Sequence, residues 1–485
     1  MTSPPHLADL FRGLIGAEAV ETGAGVRAFT VDGQLPHCVL FPRSVEELST
    51  CLRTASEAGL ATIPVGNGTQ LGIGRTPSQY DVALSTKRLR RILQHEAADM
   101  TVSVEAGLTL AELNAALRSA GQQLPLDPPH PDYTTIGALI ATDSAGPLRL
   151  SQGTVRDSLI GIKVVLADGR VITGGGRVVK NVAGYDMMKL FTGSFGTLGI
   201  VVEANFKVRP RPEHEAVFVL PARTTEAACS LARQVLAAPI TPLWVEVLNR
   251  VTALATGFGE SAVVAVGCGG TTSEVTAQQE RLRKCGDVLY ACSDAEQRQF
   301  TEALRDFPDS VLSRASRHVS ALPVQDVNLD EGSAVGTSPI SPAPTLEQKL
   351  ELWRDIRRRS SANICGCKVS LLPSKLGDVL PRLEAEAGRR TFESALLAHA
   401  GAGVTLWCFR GAAIADGGLP PFADWLRAEV RAANGWVVFD SLPLHSKDRI
   451  DPWDSDVPGL GLMRGIKQAL DPARRLSPGR FVGDI

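Results

Sequence analysis

The sequence predicts an α+β chain built in two parts. Three observations carry that reading. Strand-like and helix-like stretches alternate up to about residue 212, around loops rich in glycine. A strand-helix-strand-strand pattern then occurs twice, as expected for helices laid over one face of an antiparallel sheet. At 485 residues the chain is also longer than one hydrophobic core normally serves. The expected divisions are a lead-in over 1–30, a first unit over 31–212 and a second over 213–485. The run EGSAVGTSPISPAPT, Glu331 to Thr345, reads as a flexible insert.

Each element has a local reason. Ser44 and Glu47 fit a capping box, and Val45, Leu48, Leu52 and Ala55 recur at helical spacing, with Gly59 closing the helix. LATIPV (Leu60 to Val65) reads as a buried strand, followed by strands over Tyr80 to Ser85 and Met100 to Gly107. Thr109 and Glu112 form a second capping box ahead of Leu110, Leu113 and Leu117. IGIKVVLADGRVIT reads as a hairpin turning at Asp168-Gly169, and Gly199 to Pro212 as a strand ended by prolines. The second unit has helices around Thr225 to Ala237, Leu376 to Ala387 and Phe422 to Ala433, and a last one near Gly461 to Leu470.

Composition excludes several classes. With 44% hydrophobic and 21% charged residues the chain is of globular type. A formal net charge of −2 argues against nucleic-acid binding. No apolar run is long enough to cross a bilayer, so direct membrane insertion is not expected. Nine scattered cysteines and an N-terminus without a basic, then apolar, leader point to reduced thiols and a cytoplasmic location, any membrane association coming through partners. Cys365 and Cys367 lack the spacing of a redox or zinc pair, and strand cysteines alternating in and out is the better account.

PVGNGTQLGIG, Pro64 to Gly74, is the first stretch with chemistry in it. It is no Walker loop, lacking Gly-Lys-Ser/Thr, and no dinucleotide fingerprint, since Leu71 and Thr86 stand where glycine and an acid are needed. Two readings stand: a nest of backbone N–H groups around a diphosphate, or a glycine-rich turn between strands. YTTIGALIATDSAG, Tyr133 to Gly146, adds a second set of hydroxyls and small residues, which serves either a long flat phosphate-bridged cofactor or tight helix-strand packing.

The third stretch is KNVAGYDMMKLFTGSFGTLGIVVEANFKVRP. It resembles the signature of FAD-binding oxidoreductases of the PCMH (vanillyl-alcohol-oxidase) type. Within them it is most similar to the E-type FAD-binding subunit of bacterial glycolate oxidase. The two earlier stretches fall where that family places its flavin loops, and the closing DPARRLSPGRF resembles its C-terminus. The resemblance implies a two-subdomain PCMH-type FAD-binding domain, followed by an α/β ferredoxin-like FAD-linked oxidase domain. It implies that Gly66, Asn67, Gly68, Thr69 and Gln70 face the FAD diphosphate. Thr135, Gly137, Thr142, Ser144 and Gly146 would line the diphosphate and flavin, and Gly199, Ile200 and Val201 would reach the cofactor through backbone groups. Lys180, Asn181, Gly184, Tyr185 and Asp186 belong to the signature without an assigned contact. The plain reading packs Tyr185 under the flavin domain and has Asp186 capping the helix that runs through Phe191. Several relatives carry a flavin-linked histidine in the first loop. Here Asn67 occupies that region and no histidine or cysteine lies between Pro64 and Gly74, so FAD is expected to be non-covalent.

A 2-hydroxy acid needs a cation for its carboxylate and a base or metal for its hydroxyl proton. Members of the family often hold a metal with His-x-Gly-Asp-Gly-Asn-x-His and a later Glu-His pair. The matching stretch is HAGAGVTL, in which His399 survives, but Ala402 and Leu406 replace the acid and the second histidine. No metal site is expected. His399 is the candidate acid or base, and Arg410 and Lys368, at strand ends, are candidate carboxylate anchors. The chain holds no cysteine run for an iron–sulfur centre. The resemblance therefore implies partners: a second flavin subunit and an iron–sulfur subunit, acting with this chain on a small 2-hydroxy acid. The rival readings are an autonomous FAD-dependent dehydrogenase for another hydroxy acid and a structural subunit without redox chemistry.

Overall fold

The computed structural model describes residues 4–176, 185–288, 290–291, 294–307, 364–454 and 457–485. The insert at 331–345, and Lys180, Asn181 and Gly184, lie outside the described residues.

The first sheet has four strands in the order Val20–Glu21, Cys38–Leu40, Val82–Ser85, Thr62–Val65. The last three run parallel. The helix Val45–Glu57 provides the crossover that parallel strands require. Ser44 caps it by accepting from the Glu47 amide at 3.2 Å, while the Glu47 carboxylate reaches one residue further back, to the Arg43 amide. Helix Pro4–Ile15 lays Leu7, Ala8, Phe11 and Ile15 into the same core as Leu48, Cys51 and Leu52.

The second sheet is antiparallel, ordered Ile92–Glu96, Thr101–Glu105, Ile200–Lys207, Leu159–Val165, Val171–Gly175. Its hairpin turns at Asp168-Gly169, with Gly169 at φ +82 and the Leu166 amide on Arg170 O. Strand Ile92–Glu96 was not expected from RILQHE: it is a half-exposed edge with no apolar alternation to mark it. The Thr109–Glu112 capping box forms as read and starts Leu110–Leu117. Asp186 caps Met187–Phe191 through the Lys189 amide at 3.1 Å. Tyr185 corrects the packing reading: it is 93% exposed, because it precedes the cap and turns its side chain to solvent.

The remaining sheet has eight strands, ordered Tyr290–Ala291, His214–Ala222, Ala262–Gly270, Trp244–Leu248, Glu393–His399, Val404–Arg410, Ile364–Ser370, Trp436–Ser441. Numbered by appearance within each repeat, the middle six strands run 1-3-2 and then 2-3-1. The duplicated pattern thus meets back to back where Trp244–Leu248 pairs Glu393–His399. Helices Thr225–Ala237, Leu376–Arg389 and Leu419–Ala432 cover one face, burying Val245, Val247, Leu396, Trp407 and Phe409. Cys365 and Cys367 both point to this helix-covered core, two residues apart on one strand. The opposite face carries Glu246, Leu397, His399, Leu406 and Lys368, and Leu148 of the first part packs on it.

Candidate active site

Five stretches of the chain line one cleft. The glycine loop supplies Gly66, Gly68, Thr69 and Gln70. Helix Ile136–Thr142 supplies Gly137 and Thr142, and the third motif supplies Gly199, Ile200 and Val201. The loop follows a buried strand end and turns with Gly68 at φ +79, a conformation that favours glycine. Among the described residues, the amides of Gly68, Thr69, Gln70 and Leu71 have no hydrogen-bond partner. Unpartnered donors around a concave backbone suit an anion.

Glycine is required for close approach as well. A Cβ on Gly66 would lie 2.3 Å from Thr135 Oγ1, and one on Gly137 would lie 3.1 Å from Ala106 Cβ. Thr135 itself is fully buried and caps its helix through the Ala138 amide, so it supports the cleft from behind. Asn67 and Ser144 do the same kind of work: Asn67 Nδ2 donates to Tyr133 O at 2.9 Å, and Gln70 Nε2 donates to Ser144 Oγ at 3.1 Å. Gly146 stands apart. Its amide, with that of Leu148, is held by the Asp127 carboxylate, and a Cβ there would meet Asp127 O at 2.2 Å.

Sequence reasoning missed Thr86, Leu71, Phe195, Gly196 and Arg480 in the lining. Phe195 adopts φ +53 and stacks on Phe481, with Trp453 edge-on at 4.9 Å. Arg480 comes from the closing DPARRLSPGRF, some 400 residues away in the chain, and only the fold brings it here.

The chemistry-bearing face of the large sheet meets this unit along a seam. His399, 3% exposed, sits opposite Glu246, 1% exposed, with Nδ1 2.8 and 2.9 Å from the two carboxylate oxygens. Among the described residues His399 Nε2 has no hydrogen-bond partner. Burial raises the Glu246 carboxyl, opposed by the His399 charge. Glu246 was missed, although an acid inside the apolar run PLWVEVL is a readable signal. Two strands over, Lys368 lies across from Leu406; burial pushes its amine down. Asp143 ends helix Ile136–Thr142, and burial raises its carboxyl against the opposing fields of Arg149 and Lys368. Asp127, next to the same cluster, is raised to about 7 by burial. Arg410 is not in this group. It stands at the far end of its strand, exposed, and pairs with Glu393 at 2.7 Å. Among the described residues, no three His, Cys, Asp or Glu side chains are placed to hold a metal ion.

Family comparison agrees with the cleft. Residues 36–175 match the FAD binding domain and residues 453–481 the C-terminal domain of FAD linked oxidases. The chain thus resembles FAD-linked oxidoreductases in its first unit and in its closing segment. It is 35% identical to the glycolate oxidase subunit GlcD of Bacillus subtilis over 239 residues, 48% of this chain and 51% of that protein. Against the glycolate oxidase subunit GlcE of Escherichia coli it is 41% identical over 124 residues, 25% and 35% of the two chains. It matches the mitochondrial D-lactate dehydrogenase [cytochrome] of Arabidopsis thaliana at 26% over 92% of this chain and 74% of that protein. Several of the curated relatives are thus spanned over only about half their length. The fold is that of 4-ethylphenol oxidase from Gulosibacter chungangensis, with TM-score 0.70, 16% identity and coverage of 98% and 96%. FAD is the cofactor, and the cleft fits it among the described residues: unpartnered amides, glycines where side chains would collide, and no carboxylate in the lining. Among the described residues no helix is long and apolar enough to cross a membrane.

Proposed function

We propose that this chain is the FAD-binding subunit of a complex that oxidises glycolate or a related 2-hydroxy acid, and that it passes the electrons to a partner subunit. One observation carries the reading: helix Ile136–Thr142, which lines the cleft, ends at Asp143 in the fields of Arg149 and Lys368, two cations close to the sheet face that holds the buried Glu246–His399 pair. Bound FAD supplies a hydride acceptor at N5.

The residues have complementary roles in this reading. Arg149 and Lys368 hold the substrate carboxylate. Neither has a salt-bridge partner within 4 Å among the described residues, so neither must first be freed. Glu246 accepts from His399 Nδ1, which leaves the Nε2 lone pair as the proton acceptor for the substrate hydroxyl. The carboxylate also steadies the imidazolium that results. The dry seam strengthens both effects. Leu148 and Leu150, packed on the sheet, keep water away. FAD is held without a covalent link, since no histidine or cysteine lies in the glycine loop.

The partner role rests on likeness to glycolate oxidase subunits and on the scattered cysteines. The long match to a D-lactate dehydrogenase favours a second reading, an autonomous dehydrogenase. Anaerobic mixing of the flavin-loaded chain with glycolate, D-lactate and D-2-hydroxyglutarate separates them. Flavin bleaching, with turnover on an artificial acceptor by the isolated chain, favours the autonomous enzyme. Bleaching or turnover only with the partner subunits present favours the complex. No reduction in either setting overturns both. Acid precipitation of the same sample should leave the flavin in the supernatant.

A further inference from the structure

The last forty residues of the chain send three buried cations onto the backbone of the cleft. Lys447 Nζ donates to Gly72 O at 2.9 Å and Gly74 O at 3.0 Å, and pairs with Asp32 at 2.7 Å. Lys467 Nζ donates to Thr197 O at 2.7 Å in the third flavin motif, and pairs with Asp471. Arg480 Nη2 donates to Leu71 O at 2.6 Å and Ile73 O at 2.5 Å. Carbonyls of both flavin loops are thereby engaged from the C-terminal side.

Arg480 differs from the two lysines. Each lysine has its own buried carboxylate, whereas Arg480 has no carboxylate within salt-bridge distance among the described residues. Arg480 is more than nine-tenths buried, and among the described residues its Nε has no hydrogen-bond partner. The charged groups that act on it are Asp32, already matched by Lys447, and the phenol of Tyr80. Asp32, Lys447 and Arg480 together leave one buried positive charge uncompensated. A buried cation without a counter-charge is costly unless something anionic arrives. Arg480 lines the cleft itself, where no carboxylate stands among the described residues.

We propose that Arg480 is a direct contact of the FAD diphosphate, so that the C-terminal segment and the cofactor hold each other in place. The diphosphate then lies between the unpartnered amides of the glycine loop on one side and the guanidinium on the other. The tail is docked tightly enough to hold that geometry: Trp453 Nε1 and the Arg75 amide both donate to Arg480 O, at 2.9 and 3.0 Å, and a Cβ on Gly74 would lie 2.6 Å from the same oxygen. Coupling of this kind is reciprocal: whatever FAD gains from the tail, the tail gains from FAD.

The test is binding of FAD, ADP and riboflavin to the full-length apoprotein. A charge-assisted contact predicts that Arg480→Gln weakens FAD and ADP together, by roughly 10- to 100-fold, and leaves riboflavin within about twofold. Arg480→Lys should recover part of the loss. FAD and ADP affinities within about twofold of the parent overturn the proposal. So does an equal loss for riboflavin, which would mean that Arg480 only shapes the loop. Should Arg480→Gln fail to fold, hydrogen exchange of the parent chain decides. Addition of ADP should slow exchange at 71–75 and at 478–482 together, and protection confined to the glycine loop refutes the contact.

Discussion

Gly66→Ala puts one methyl group into the tightest approach in the cleft. Its carbon would sit 2.3 Å from Thr135 Oγ1, 3.1 Å from Cγ2 and 3.2 Å from Cβ. Ordinary contact is about 3.5 Å, so the overlap with the oxygen exceeds about 1 Å. Thr135 cannot simply turn away. It is fully buried, and its oxygen caps helix Ile136–Thr142 through the Ala138 amide at 3.4 Å. Rotating it forfeits the cap, worth about 1 kcal/mol, and pushing the loop outward instead costs roughly 1–3 kcal/mol of overpacking. We expect a loss of about 2–4 kcal/mol on urea unfolding followed by circular dichroism. FAD affinity should fall by about tenfold or more as the loop amides leave their line, a change equivalent to about 1.4 kcal/mol. Thr135→Ala in the same chain removes the colliding atoms. The double variant should therefore be more stable than the sum of the two single losses, by about 1 kcal/mol or more. A single variant within about 0.5 kcal/mol of the parent, or a strictly additive double, refutes the close-approach argument.

The other predictions concern charge. Glu246→Gln keeps the shape of the His399 pair but removes the carboxylate, so flavin reduction by a 2-hydroxy acid should slow by about 10- to 100-fold in anaerobic stopped flow while FAD affinity holds; an unchanged rate refutes the proton-acceptor role. Asp127 has a carboxyl raised to about 7 against an unfolded value near 4, so the folded chain binds the extra proton. Its stabilisation is full below about pH 4 and is lost as pH rises through about 7. Urea midpoints at several pH values across this window should slope less in Asp127→Asn than in the parent. Arg410→Ala removes an exposed ion pair with Glu393, and should cost less than about 1 kcal/mol and leave flavin reduction unchanged. Lys467→Met strands the buried Asp471 carboxylate, and should cost about 3–5 kcal/mol in unfolding experiments, with Lys467→Met/Asp471→Asn costing less.

Local physics was legible in this chain. The caps at Ser44 and Thr109, the Asp168-Gly169 turn and the helices of the large sheet follow from hydrogen-bonding side chains and apolar period, which act within a few residues of each other. Strand Ile92–Glu96 was not legible because a half-exposed edge carries little apolar signal. Tyr185 misled for the opposite reason: an aromatic residue suggests burial, but its exposure depends on what the neighbouring chain does.

The candidate site divides along the same line. The sequence by itself determined where backbone can approach closely, because glycine is absent side chain and positive φ, both properties of the residue. It also shows Ala402 and Leu406, which cannot ligate, where the resembling metal motif has an acid and a second histidine. Only the tertiary structure decided which charges face one another. The Glu246 partner of His399 lies 153 positions away, and Arg480 reaches a loop more than 400 positions earlier. A side chain's charge is written locally, but its effect depends on burial and on its opposing group, and both are set by how distant strands and the C-terminal segment pack.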